Sequence, residues 1–308
     1  MVKTAQALAF YLACSTRRSV FGFIQESRLS CRTTVTRFNT FRNNNNNNIN
    51  NNNNNNNNIM SSVDIPANLK YVRERIQLAT ADHTTTVRLV AVSKTKPNEL
   101  LMECYQHGQR IFGENYVQEL VEKASSMPKD ITWHFIGPLQ SNKAKLLVTS
   151  IIPHAAGLVV ETVATIKLAK KLQSAMEECI TSTTTPSTHD TTTTTTTTTL
   201  KVFVQVNTSG ELSKSGIEPD EMVELCRSII DECPLLTLVG LMTIGAPGDL
   251  NCFNILAKCR DDTLEALGLN SLELSMGMSD DFPEAIAHGA TNVRVGSTIF
   301  GARDYTPK

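Results

Sequence analysis

Lys94 ends a short apolar run, Arg88-Leu89-Val90-Ala91-Val92-Ser93-Lys94, and is followed by Thr95-Lys96-Pro97. An amine held at the edge of an apolar interior can lose its charge and condense with a carbonyl to give a Schiff base. The plain alternative is a surface lysine after a core strand. A second group of residues suits an anion. Ser275-Met276-Gly277-Met278-Ser279 and Gly296-Ser297-Thr298 combine hydroxyl donors with glycines that let backbone approach a ligand closely. Ser279 also precedes Asp280-Asp281, so it could instead cap the next helix. Arg294 lies inside the apolar Val293-Arg294-Val295 and needs a partner. It either pairs with a carboxylate such as Glu273 across a sheet or faces the ligand.

These residues have to be brought together by the elements that carry them. Leu89–Val92 is continuously apolar with β-branched Val90 and Val92, which reads as a buried parallel strand. Pro97 then stops pairing and opens a helix. A leading helix is expected at 62–79. Strands are expected at 88–93, 110–113, 131–136, 157–160, 201–206, 236–242, 271–275 and 291–295. Helices between them are expected near 98–107, 115–124, 142–148, 163–178, 219–230, 251–266 and 280–288, with a last turn at 297–302. His107-Gly108 and His288-Gly289 read as helix ends. Regular strand–helix alternation argues a parallel sheet, and eight units argue closure into a (β/α)8 TIM barrel. A doubly wound open sheet is the alternative, weakened by the lack of a G-x-G-x-x-G after the first strand. In a barrel, ligand-contacting residues follow the strands. Those positions are Lys94, Glu114-Asn115, Gly137-Pro138-Leu139-Gln140, Asn207, Met242-Thr243, Ser275–Ser279 and Gly296-Ser297. A rim with a reactive lysine, an anion cradle and an arginine fits a ligand bearing both an aldehyde and a phosphate, and pyridoxal 5′-phosphate has both.

Composition is uneven along the 308 residues. Residues 1–58 hold seven basic residues and one acid, Glu26, so they carry +6 and the rest about −7. A body of that sign suits neither nucleic acid nor an anionic membrane, and no stretch is long enough to span a bilayer. The leader at 1–58, Arg-rich and expected to be disordered, reads as a mitochondrial transit peptide. A short secretory signal and an incidental extension of a cytoplasmic protein are the alternatives. An Asn tract at 43–58 and a Thr-rich loop insertion at 181–199 are low-complexity additions, leaving a folded region at 60–308. The eight cysteines form no C-x-x-C and read as reduced, partly buried thiols; no metal-ligating pattern occurs.

Several blocks together resemble one family. They are Leu89–Pro97, Phe112-Gly113-Glu114-Asn115-Tyr116-Val117-Gln118-Glu119, His134–Lys143, Val206-Asn207 with Lys214–Ile217, Gly240–Ile244, Leu274–Phe282 and Val293–Gly301. In this order they resemble the pyridoxal phosphate homeostasis proteins, from about residue 62 to 305. The resemblance implies the barrel of bacterial alanine racemase, of fold type III. It implies pyridoxal 5′-phosphate held as an internal aldimine on Lys94, with its phosphate against Ser275–Ser279 and Gly296-Ser297. Arg294 is expected near the pyridine nitrogen. The site residues it implies are Lys94, Asn115, Met242, Ser275, Arg294, Gly296 and Ser297. Ala164 and Pro138 depart from the family pattern without touching that set.

Racemisation needs acid/base groups on both faces of the cofactor adduct, and barrel racemases take one from a second, β-rich domain. The sequence runs to Lys308, just past the eighth unit, and shows no such domain. The expectation is therefore a binding protein, a monomer or weak dimer, that supplies the cofactor to apo-enzymes. A single-domain racemase or lyase, and a cofactor-free class I aldolase-like barrel, are the alternatives. Lys143, Lys145 and Lys214 are weighed as secondary contacts against ordinary surface lysines.

Overall fold

Eight parallel strands close on themselves in sequence order, with β8 returning to pair with β1. The computed structural model describes residues 63–81, 86–183, 199–211 and 215–302. The leader, the Asn tract, most of the Thr-rich insertion and Lys214 lie outside the described residues. The strands are β1 (Arg88–Val92), β2 (Ile111–Glu114), β3 (Thr132–Phe135), β4 (Gly157–Val163), β5 (Leu200–Gln205), β6 (Leu236–Met242), β7 (Glu273–Ser275) and β8 (Asn292–Val295). The helices are α1 (Ile65–Ala79), α2 (Asn98–Gln106), α3 (Val117–Ser126), α4 (Ala144–Ile151), α5 (Ile166–Thr183), α6 (Met222–Glu232), α7 (Asn251–Leu267), α8 (Phe282–Ala287) and α9 (Ser297–Phe300). The (β/α)8 TIM barrel expected from the alternation is the fold.

Each strand runs between a helix layer and the lumen, which explains the apolar runs. Ala91, Phe112, Trp133, Val160, Val202 and Leu241 belong to the main core. The rings of Phe112 and Trp133 meet with centroids 5.8 Å apart. A separate cluster of Val159, Phe203 and Met242 packs inside the lumen. In the helix layer α1 packs against α2 on one side and α8 and α9 on the other. Its Asp64 side chain accepts from the amide of Ala67, and it buries Ile65, Leu69, Val72 and Ile76 at helical spacing. Asn68 ties it to α9 by donating to the carbonyl of Ile299. His107 and His288 do end α2 and α8, and each ring Nδ1 lies within hydrogen-bond distance of the carbonyl four residues back.

Several element bounds differ by a few residues, and at one of them a residue expected in a helix lies in a strand. Val163, expected to open a helix, is the last residue of β4, and α5 starts at Ile166. The register between β4 and β5 shifts between Val160 and Val163, which lengthens the strand through Glu161 and Thr162. The six described cysteines are buried. Burial pushes the thiols of Cys104 and Cys226 up to about 12 and that of Cys259 to about 11.

Candidate cofactor site at the carboxyl rim of the barrel

A hollow of about 260 Å³ opens at the carboxyl ends of the strands. Lys94 follows β1, Asn115 follows β2, and Gly296 and Ser297 follow β8. These four line it together with Arg294 of β8, with Met278, Ser279 and Asp280 of the β7–α8 loop, and with apolar Val92, Ile136 and Ile244. Its wall thus brings together an amine, a guanidinium and two serine hydroxyls over an apolar floor. The hydroxyl of Ser279 accepts from the amide of Gly296 at 3.3 Å, joining the last two rim loops. Ser279 does not cap α8: Asp281 holds that position and accepts from the amide of Met278 at 2.6 Å. A hollow of similar size, about 280 Å³, lies at the other end around Arg88, His134 and Glu273. Arg88 and Glu273 satisfy each other there, and the lysine is not part of it.

Arg294 is held from below. Its guanidinium donates to Ser275 Oγ at 2.6 Å and to the carbonyl of Thr243 at 2.7 Å. Ser275 donates in turn to Glu161 Oε2 at 2.5 Å, and His134 Nδ1 stands 2.5 Å from Glu161 Oε1. Glu161 is fully buried. Burial alone would raise its carboxyl, but His134, Arg294 and Ser275 hold it below the ordinary carboxylate range. Of the two alternatives for Arg294, it lines the rim hollow and does not pair with Glu273; beneath it runs this chain, in which Glu161 lies 4.0 Å from the guanidinium. The ladder gives the reason. Ser275 sits level with Asn292, so Arg294 lies two residues above Ser275's level, and Glu273 pairs with Arg88 at 2.7 Å.

Of the seven residues expected at the site, Lys94, Asn115, Arg294, Gly296 and Ser297 share the hollow. Ser275 is buried beneath it and acts on Arg294. Met242 is not in its lining and packs against Val159 and Phe203. Gly277 serves packing: its φ is +89°, and a Cβ there would come 2.5 Å from that of Ala285. Glu114 turns into the interface between the barrel and α3. Lys145 pairs with Glu178 on the surface, and Lys143 is exposed. His134 and Glu161 are absent from the set that sequence reasoning selects. Their one sequence signal is a polar side chain inside an apolar strand.

A family model described as the alanine racemase N-terminal domain matches residues 67–304. A pyridoxal phosphate homeostasis protein from Bos taurus is 46% identical over 258 residues, covering 78% of this chain and 88% of that protein. Its counterpart from Homo sapiens is 44% identical over 258 residues, covering 78% and 87%. The chain belongs to the pyridoxal phosphate homeostasis protein family. Among solved structures, PipY of Synechococcus elongatus with PLP bound is 29% identical, with a TM-score of 0.61 over 77% of this chain and all of that one. In this chain Lys94 stands just past the end of β1 and shares its hollow with residues of the loops that follow β7 and β8.

Proposed function

We propose that this chain binds pyridoxal 5′-phosphate at the carboxyl rim, joined covalently through Lys94, and supplies it to apo-enzymes. The observation that carries the reading is the convergence of Lys94, Asn115, Arg294, Gly296 and Ser297 on one hollow. The residues present fit the group. Asn115 Oδ1 is buried without a hydrogen-bond partner in that wall, as expected of a polar atom meant for a ligand. Attachment requires the neutral Lys94 amine to add to the aldehyde carbon, with one water leaving. Apolar Val92, Ile136 and Ile244 line the hollow beside it. Ser279 and Ser297 offer hydroxyls for the phosphate.

Arg294 shapes what the bound group can do. A fixed cation beside the ring nitrogen disfavours its protonation, and an unprotonated ring is the weaker electron sink. That favours holding over turnover. The test is the absorbance spectrum of purified protein before and after Lys94→Ala. A near-visible band is expected in the parent and lost in the variant, with borohydride reduction fixing a pyridoxyl mass on Lys94. A parent that takes up no cofactor overturns the reading, and steady turnover of an amino acid that depends on Lys94 replaces it with an enzyme.

A further inference from the structure

We propose that Lys123, together with Glu119 and Glu114, clamps the backbone on both sides of Lys94 and so sets its amine in reach of the bound aldehyde. The inference rests on the attachment proposed above. None of the three lines the hollow, and the two on α3 reach from that helix to the backbone just past β1. Lys123 is buried, and its Nζ makes three bonds. It donates to the carbonyl of Ser93 at 2.7 Å, to Glu114 Oε1 at 2.8 Å and to Glu119 Oε1 at 2.6 Å. An ammonium has three protons, so this group is saturated. Ser93 precedes Lys94. On the other side, the amide of Thr95 donates to the same Glu119 oxygen at 2.6 Å. Ser93 Oγ adds a bond to Glu114 Oε1 at 2.6 Å.

The backbone gives an independent reason for such a clamp. Thr95 has φ +63° and is the one non-glycine residue with positive φ among the described residues. A β-branched side chain in the left-handed region is strained, and it persists only where its surroundings hold it. The strain falls on the residue directly after the reactive lysine. The same three side chains therefore fix the peptide groups on either side of that lysine, at the one point where the chain resists its conformation.

The experiment compares two ligands on the full chain. One is pyridoxal 5′-phosphate, and the other is its 4′-alcohol analogue, which cannot condense with an amine. Glu119 is partly exposed, so Glu119→Ala removes the Thr95 acceptor without opening a fully buried cavity. The paired change Lys123→Met with Glu114→Gln removes the ion pair without leaving a lone buried charge. Both are expected to weaken the aldehyde ligand about tenfold, roughly the effect of losing one charge-assisted bond, while the alcohol stays within about twofold. Glu119→Gln keeps an oxygen for Thr95 and is expected to keep most of the affinity. Equal weakening of both ligands, or no change in either, overturns the clamp while leaving the Lys94 band of the parent intact. A parent without that band overturns both proposals.

Discussion

Arg294 is held by neutral groups on one side and a carboxylate at one remove, and Ser275 is the joint between them. Its hydroxyl accepts from the guanidinium and donates to Glu161. Ser275→Ala leaves two buried charged groups short of a partner, with an expected loss of about 1–3 kcal/mol measured by denaturant unfolding. If Arg294 stands beside the ring as proposed, the variant should also shift the absorbance of the bound cofactor, because the guanidinium keeps only its bond to the carbonyl of Thr243. At this scale the sequence is partly legible. Lys94 can be read because a β-branched apolar run ends on it and a proline follows. Arg294 stands out as a charge in an apolar strand, but its partner does not. Glu273 and Glu161 are both carboxylates on strands, and only the stagger of β8 against β7 chooses between them. Lys123 is hidden in the sequence because a lysine four residues after a glutamate reads as an exposed helix pair. The helix turns that pair onto the barrel, and Lys123 is 5% exposed.

Among the elements, the turn from β7 into α8 has the tightest demands. Gly277 combines φ +89° with a Cβ position 2.5 Å from that of Ala285. Gly277→Ala is expected to cost about 1–3 kcal/mol from backbone strain and overpacking, seen as a fall in Tm of several degrees. Since Met278 and Ser279 follow directly and line the hollow, cofactor affinity should fall with it. The eight strands and the helices between them are legible from period and punctuation, because the strands are largely apolar on both faces. The far end of β4 is not. Glu161 and Thr162 break the apolar run, and the shift in register that accommodates them is a property of pairing with β5, absent from either strand alone.

For the molecule as a whole, two buried carboxylates pull the pH dependence of stability in opposite directions. Burial raises Glu114 from 4.5 to about 7, against the pull of Lys123 and Ser93. A carboxyl whose folded value lies above its unfolded one gives its full contribution below 4.5 and loses it as pH rises through about 7. That loss is about 3 kcal/mol, since each tenfold change in proton affinity is worth about 1.4 kcal/mol. Glu161, held below its ordinary value, behaves in the reverse sense: its contribution is present above that value and lost as pH falls. Thermal melts of Glu114→Gln against the parent should lose the decline in Tm between pH 4.5 and about 7. An unchanged slope would mean that Glu114 does not titrate there. The sealed thiols bear on selectivity. Thiolates add readily to free aldehydes, and a carrier of such a compound faces self-modification at every reactive sulfur. With the six described cysteines buried, and three of them pushed to about 11 or 12, thiolate is nearly absent from those three at neutral pH. At those three positions that suppresses a nucleophile that would compete with the attachment proposed at Lys94.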